Sequence, residues 1–198
     1  ICCMHLDKGQ MWIGTTTDGA YRLQLDKNEL THPILKGNIT SIYQDSEGEL
    51  WIGSWEEGLH HVKTDGTIEI FEYDAKNPYS ISSNFVRACC EDNLGNIWIG
   101  TFNGLNRYDK STGLFQNHTA SDAQSDGLTH SSIWCIVKDN QGTLWLGTYF
   151  GGVNYFNPEY EIYSRYMYSP IEKKGLSNPV VGRTIEDKDG NLWIGTEG

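Results

Sequence analysis

One short phrase recurs five times along the chain, and this internal repeat constrains the fold more than any other feature of the sequence. Each copy reads as a hydrophobic residue, Trp, Ile or Leu, Gly, and Thr or Ser. The tryptophans are Trp12, Trp51, Trp98, Trp145 and Trp193, so successive copies are 39, 47, 47 and 48 residues apart. A period of about 40 to 50 residues indicates a fold assembled from similar units. Because these tryptophans recur in every unit, we expect them to pack in the core.

A tight turn precedes four of the five copies. These turns carry Asp at the first position and Gly at the fourth, at Asp45–Gly48, Asp92–Gly95, Asp139–Gly142 and Asp187–Gly190. Glycine adopts the positive φ that such turns need, and aspartate hydrogen-bonds the nearby backbone. The period that starts at Ile39 predicts four short strands, near residues 39–44, 49–54, 58–63 and 67–73. Four strands per unit are typical of a β-propeller blade.

The repeat predicts an all-β propeller segment with four four-stranded blades and half of a fifth. We place the blades at residues 1–37, 38–84, 85–131, 132–179 and 180–198. A ring interrupted in this way would expose unpaired strand edges. We therefore expect the chain to be a fragment of a larger ring of about seven blades. A closed ring of four or five blades is the alternative.

Composition and charge exclude several classes of protein. The net charge is −11, and no cluster of Lys and Arg appears, which argues against a nucleic-acid partner and against direct membrane contact. The chain has no apolar run of about 18 residues and no signal-peptide pattern, so we expect neither a membrane span nor an export signal within it. Five cysteines, two pairs of them adjacent, fit neither a disulfide framework nor a zinc site. We expect buried thiols, no metal and no cofactor.

The repeated phrase resembles the two-component regulator propeller repeat. The resemblance rests on the Asp-x-x-Gly turn, the tryptophan strand and the Gly-Leu pair that follows it, as in Gly58–Leu59 and Gly104–Leu105. The segments Ser80–Val86, Gly127–Ile133 and Gly175–Val181 resemble the lead-in of the same repeat. The resemblance covers essentially the whole chain, and only the first copy departs from the pattern.

This resemblance implies a role in signal transduction. It implies that the propeller belongs to the periplasmic sensory region of a bacterial sensor histidine kinase, often a hybrid two-component system of gut Bacteroidetes, where related regions detect oligosaccharides. The implied partners are an oligosaccharide ligand, the remaining blades and the downstream signalling domains of the parent chain, with a homodimer left open.

The turn that follows each tryptophan strand differs between copies and is the first candidate for a binding surface. Its notable residues are Trp55 and Glu56 in the second copy, Phe102 and Asn103 in the third, and Tyr149 and Phe150 in the fourth. Aromatic rings stack on the C–H face of a sugar, while carboxylates and amides bind its hydroxyl groups. The alternative is that these rings only cover the neighbouring blade.

A second variable group lies early in the first strand of each blade, where we expect it to line the central channel. At one position the copies carry Thr40, Arg87, Trp134 and Gly182, and at the next Ser41, Ala88, Cys135 and Arg183. A guanidinium offers paired planar donors, so Arg87 and Arg183 suit a carboxylate or sulfate on an acidic glycan. Salt bridges at the surface or between blades are the alternative. His130, in the lead-in of the fourth copy, is a further candidate.

Catalysis has little support in the sequence. A lyase or hydrolase needs a poised base or paired carboxylates, and Glu56, Glu57, His60, His61 and His130 form no recognisable motif of that kind. We therefore expect a non-catalytic, ligand-sensing propeller. A polysaccharide lyase or hydrolase propeller, and a structural or dimerisation scaffold, are the alternatives.

Overall fold

The computed structural model describes residues 1–31, 33–120, 127–158, 162–169 and 175–197. Within these ranges the chain forms 18 β-strands. The first sheet contains β1 (Cys3–Asp7), β2 (Gln10–Gly14), β3 (Ala20–Gln24) and β4 (Glu29–Leu30). The second contains β5 (Ile39–Gln44), β6 (Leu50–Ser54), β7 (Leu59–Val62) and β8 (Ile68–Phe71). The third contains β9 (Val86–Glu91), β10 (Ile97–Thr101), β11 (Gly104–Asp109) and β12 (Leu114–His118). The fourth contains β13 (Ile133–Lys138), β14 (Leu144–Thr148), β15 (Val153–Asn157) and β16 (Ile162–Tyr166), and the fifth contains β17 (Val181–Glu186) and β18 (Leu192–Thr196).

Each sheet is an antiparallel meander of strands that are consecutive in the sequence. The first strands of successive sheets contact one another, β1 with β5, β5 with β9, β9 with β13 and β13 with β17. These five are called the inner strands below. The prediction of an all-β propeller with four four-stranded blades and a two-stranded fifth is confirmed. Among the described residues the structure contains no helix that could cross a lipid bilayer.

The turn aspartate has a second role that the sequence pattern did not reveal. One oxygen of Asp45 accepts hydrogen bonds from the backbone N–H groups of Glu47 and Glu49, at 3.1 and 2.9 Å. The other accepts a hydrogen bond from the indole N–H of Trp51, at 2.9 Å. The same indole bond, 2.8 Å long, links Trp98 to Asp92, Trp145 to Asp139 and Trp193 to Asp187. The aspartate therefore fixes the turn and the core tryptophan at once.

The repeated tryptophans differ in how deeply their blades bury them. Trp51 is fully buried, stacked on His61 at 3.9 Å and packed against Tyr108 of the next sheet at 5.3 Å. Trp193 is 63% exposed, although it makes the same indole bond. It belongs to the fifth sheet, in which the structure describes only two strands.

Four of the five repeated glycines make room for the next sheet. The inner strands from the second sheet onwards begin at a buried Ile or Val, which faces the glycine of the preceding tryptophan strand. The pairs are Gly14 with Ile39, Gly53 with Val86, Gly100 with Ile133 and Gly147 with Val181. A Cβ added at any of these glycines would come within 2.8 Å of a methyl carbon of its partner. This arrangement, called the blade joint below, seats a β-branched side chain where only a glycine leaves space.

Candidate ligand-binding site

A cavity of about 650 Å³ lies on the propeller axis and is lined by residues of all five inner strands. Each repeated glycine pairs across the ladder with a lining residue of its own blade, as Gly53 does with Ser41 and Gly100 with Ala88. The eight variable positions of the second group all line this axial cavity: Thr40, Ser41, Arg87, Ala88, Trp134, Cys135, Gly182 and Arg183.

A β-bulge at the start of each inner strand from β5 onwards places one extra residue at this cavity. The strand register skips a single residue in each case, and the skipped residues are Thr40, Arg87, Trp134 and Gly182. A bulge leaves its extra residue outside the ladder and re-aims the side chain, and such bulges are over-represented next to functional sites. The repeat thus builds one displayed position in each of the last four blades, and the residue at that position differs in all four.

Arg87 and two tryptophans form a stack at the cavity. The guanidinium carbon of Arg87 lies over the ring of Trp55, 4.4 Å from its centroid, and over the ring of Trp134 at 4.0 Å. Tyr149 is stacked on Trp134, with the ring centroids 5.4 Å apart and the planes 11° from parallel. Three blades contribute to this stack, so it forms only when the blades are joined.

The stack leaves polar groups without partners. The side-chain Nε of Arg87 and the indole nitrogen of Trp134 are buried, and neither has a hydrogen-bond partner among the described residues. Arg87 also forms no ion pair within the described part of the chain. Burial lowers the pKa of Arg87, which is the direction expected for a cation that has no counter-charge.

Arg183 lies two inner strands away from Arg87 and is exposed. Its positive charge acts on the pKa of thiols in two different sheets. Burial raises the pKa of Cys3 to about 12, and the nearby charge of Arg183 opposes that shift. Burial also raises the pKa of Cys135, which Arg183 again opposes. The cation of the fifth sheet therefore acts electrostatically across the cavity, on the first sheet as well as the fourth.

The variable turns are held by the same backbone bond in the second, third and fourth blades. The backbone N–H of Trp55 donates to Asn38 O at 2.9 Å, and that of Tyr149 donates to Ser132 O at 3.0 Å. Both acceptors directly precede an inner strand, so the turn is tied to the strand that lines the cavity. In the third blade Phe102 N donates to Phe85 O at 3.0 Å. A constant backbone frame therefore presents a different side chain in each copy.

The remaining predicted residues extend outward from the stack. Phe85 packs edge-on against Trp55 at 5.6 Å and contacts Phe102 at 6.1 Å. On the other side, Phe150 packs edge-on against Tyr149 at 4.2 Å. Phe102 is 53% exposed and Phe150 is 55% exposed. With the Arg87 guanidinium between Trp55 and Trp134, these rings form a series of contacts across three blades. The rings are called the aromatic arc below, and they are Phe102, Phe85, Trp55, Trp134, Tyr149 and Phe150.

Three predicted residues lie beside the arc rather than at the cavity. The Nδ1 of His130 accepts a hydrogen bond from Ser132 N at 3.0 Å, and its ring packs edge-on against Phe150 at 6.1 Å. Asn103 is exposed, and its backbone N–H donates to Thr101 Oγ1 at 3.1 Å. Glu56 is exposed in the turn after β6. None of the three lines the axial cavity, and neither do the predicted residues Phe102, Tyr149 and Phe150 of the arc.

The structure adds lining residues that sequence reasoning missed. Cys2, Cys3, Thr16 and Tyr43 also line the cavity. Thr16 occupies the place in the first copy that Trp55 occupies in the second, so alignment of the copies from the glycine onward could have found it. The described lining holds no carboxylate and no imidazole.

An acidic cluster lies elsewhere, at the turn between β5 and β6. The carboxylates of Asp45, Glu47 and Glu49 are close enough together to share a cation. Lys110 occupies this position instead, since its Nζ lies 2.9 Å from Asp45 and 3.1 Å from Glu47. The cluster is therefore a contact between the second and third sheets.

Comparison with known families decides the identity of the repeat. The model of the two component regulator propeller matches residues 33–56, 80–103, 127–150 and 175–198. Each match runs from the lead-in through the inner strand and the tryptophan strand to the variable turn. The chain belongs to the two-component regulator propeller family. Among the curated proteins compared, none matches it.

Solved structures share the fold. The extracellular domain of BT3049 from B. thetaiotaomicron, assigned as a hybrid two component system, matches with a TM-score of 0.78 and 23% identity. The extracellular domain of BT4673 from the same organism matches with a TM-score of 0.77 and 23% identity. Each match covers 98% of this chain and 25% of the other. The virginiamycin B lyase of Staphylococcus aureus matches with a TM-score of 0.72 and 14% identity, over 96% of this chain and 61% of the other.

These propeller repeats thus span about a quarter of the length of the two extracellular domains they resemble. At such identities the likeness establishes the fold. The axial cavity, the bulge residues and the aromatic arc are properties of this chain's own residues.

Proposed function

We propose that this propeller is a ligand-sensing module of a two-component sensor, and that it binds an oligosaccharide at the axial cavity without changing it chemically. The observation that carries the proposal is the stack of Trp55, Arg87 and Trp134, because it concentrates aromatic surface and unsatisfied donors at one cavity. Membership of the two-component regulator propeller family supports the sensor role.

The chemistry of the site suits a sugar. Exposed aromatic rings offer flat apolar surface to the C–H face of a pyranose, and nearby donors bind its oxygen atoms. Trp55, which is 36% exposed, and Trp134 supply rings at the cavity, and the outer rings of the aromatic arc, such as Phe102, lie beyond it. Arg87 and the Trp134 indole supply the donors. A cavity of about 650 Å³ is within the usual range of small-molecule sites and accommodates a short oligosaccharide.

Signalling requires that the bound state be communicated to other parts of the parent protein. The stack joins the second, third and fourth blades, so a ligand held there contacts three blades together. We place the module outside the cytoplasm, as in the extracellular domains that share its fold. The remaining blades and the downstream signalling domains of the parent are the partners that would receive the signal.

Calorimetric titration with a panel of neutral and acidic oligosaccharides tests this function, with each mixture assayed afterwards for cleaved product. Binding without cleavage that is lost on Trp55→Ala supports the proposal. Trp193→Ala is the matched control, because Trp193 is exposed and lies outside the cavity. Accumulation of cleaved product would favour a lyase or hydrolase instead. Absence of binding to every oligosaccharide of the panel would favour a scaffold.

A further inference from the structure

We infer that the group anchoring the ligand is an oxyanion, a carboxylate or a sulfate, bound between Arg87 and Arg183 on the propeller axis. This inference rests on the proposed ligand-binding function and adds the chemical class of the ligand. It follows from the charge of the cavity, from its unsatisfied donors and from the rigidity of Arg87.

The charge of the axial cavity is opposite to that of the chain. The sequence carries 26 acidic and 15 basic residues and a net charge of −11. Among the described residues that line the cavity, only Arg87 and Arg183 are charged. A concave site lined by one sign of charge focuses the potential and raises the local concentration of ions of the opposite sign. The axial cavity is therefore positively charged, whereas the chain as a whole is acidic.

The unsatisfied polar atoms beside the stack are donors. Arg87 Nε and Trp134 Nε1 both carry hydrogens, and neither finds an acceptor within the described structure. A buried donor without an acceptor costs free energy, and more so when it belongs to a charged group. A carboxylate or sulfate consists almost entirely of acceptor positions, so it satisfies several donors at once. A neutral hydroxyl satisfies fewer of them and leaves the cation without a counter-charge.

Arg87 is held in place before any ligand arrives. Its guanidinium lies over two indole rings, 4.4 and 4.0 Å from their centroids, so the ring faces cover the plane of the group. The hydrogen-bonding edge of a guanidinium lies in that plane and stays available. An arginine fixed in this way loses little conformational entropy when it binds an anion. Its position on a β-bulge directs it at the cavity.

Arg183 supplies the second contact. It lines the same cavity from β17, on the far side of β13 and its bulge residue Trp134. Its charge influences the thiols of Cys3 and Cys135 on either side. An oxyanion on the axis would therefore meet the stacked Arg87 at one end and the exposed Arg183 at the other.

The test compares ligands that differ only in charge. One pair is an oligogalacturonate and its methyl ester, and a second pair is a sulfated chondroitin disaccharide and its unsulfated counterpart. The 198-residue chain is titrated with each by calorimetry, and the indole N–H signal of Trp134 is followed by nuclear magnetic resonance. The two pairs separate a carboxylate from a sulfate as the preferred oxyanion.

We expect the charged member of one pair to bind at least about tenfold more tightly than its neutral counterpart, and to shift the Trp134 signal. Arg87→Gln and Arg183→Gln should each reduce that affinity by about tenfold. Arg183 is exposed, so its variant tests the inference even if Arg87→Gln perturbs the fold. Arg22→Gln is the matched control, because Arg22 also lies over a tryptophan, 5.8 Å from Trp12, has an unpartnered Nε and does not line the cavity.

Each result decides between the two proposals. Equal binding of the charged and neutral members overturns the oxyanion inference and leaves the sensing function standing. If neither member of either pair binds, and no oligosaccharide of the wider neutral and acidic panel binds, both the oxyanion inference and the sensing function are overturned. Preference for the charged member that survives both arginine substitutions also overturns the inference.

Discussion

Arg87 and Trp134 occupy the same bulge position on neighbouring inner strands, and the guanidinium carbon of Arg87 lies 4.0 Å from the centroid of the Trp134 indole. The repeat also accepts other residues at this position, since Thr40 and Gly182 occupy it in two other blades. The fold therefore does not require a cation and an aromatic ring at these two positions. The pairing is specific to the sequence of this chain.

Arg87→Lys should lower the free energy of unfolding by about 1 kcal/mol. A lysine ammonium is a compact charge that cannot cover two indole rings as a planar guanidinium does. Urea unfolding followed by tryptophan fluorescence measures the change. Arg22→Lys, where the guanidinium lies over one ring at 5.8 Å, should have a smaller effect. Equal effects at the two positions would show that the double contact adds no stability.

Gly100→Ala should destabilise the chain by about 2 kcal/mol, because the new methyl group would lie 2.7 Å from a methyl carbon of Ile133 in the next sheet. Gly195→Ala provides the control. The nearest atom to a Cβ at Gly195 is the Arg183 carbonyl oxygen, at 3.5 Å, which is ordinary contact. Thermal unfolding of both variants separates a clash between blades from a general intolerance of alanine in the tryptophan strand. A similar loss in both would contradict the blade joint.

Trp51→Phe should cost about 2 to 3 kcal/mol, since it removes the indole bond to the buried Asp45 and leaves unfilled space in the core. Trp193→Phe removes the same type of bond at a position that is 63% exposed, where water replaces it. We expect a change below about 0.5 kcal/mol there. Chemical unfolding of the two variants measures the difference, and comparable losses would argue against burial as its cause.

Stability should fall as the pH drops below about 4, in part through Asp45. Burial alone would raise the pKa of Asp45, but hydrogen bonds from Trp51 and Lys110 outweigh it and hold the pKa below its ordinary value of 3.8. A carboxylate with a lowered folded pKa contributes stability above its unfolded pKa and loses it as the pH falls through the folded pKa. Melting temperatures of the wild type and Asp45→Asn, measured from pH 6 down to about pH 2.5, test this. The variant should be less stable near neutral pH, and the difference should shrink in acid; a constant difference would rule Asp45 out.

The sequence was sufficient to predict the fold because the tryptophan phrase recurs five times and the turn before it recurs four times. Strands β5 to β8 lie where the pattern places them, since alternating β-branched residues and turn glycines act locally. The stack of Trp55, Arg87 and Trp134 was not predictable in the same way. Its members come from three blades, and their contacts depend on how blades are joined and on bulges that no short motif encodes.

The indole bond of the turn aspartate shows a second limit. The pattern of Asp45 and Gly48 indicates a turn, and the turn alone accounts for one carboxylate oxygen. The other oxygen binds Trp51, six residues away, because the antiparallel pairing of β5 and β6 brings the turn and the tryptophan close together. Periodicity shows that both residues recur but does not show that they touch.

The blade joint carries a consequence for how such proteins diversify. A β-branched side chain packs against a glycine in the same way at each of the four junctions, and Val86, Ile133 and Val181 do not line the axial cavity. A gene duplication or deletion of one unit would therefore preserve a compatible junction on both sides. The bulge residues Thr40, Arg87, Trp134 and Gly182 take no part in this joint, so the axial surface can change through them while the junctions between blades stay the same.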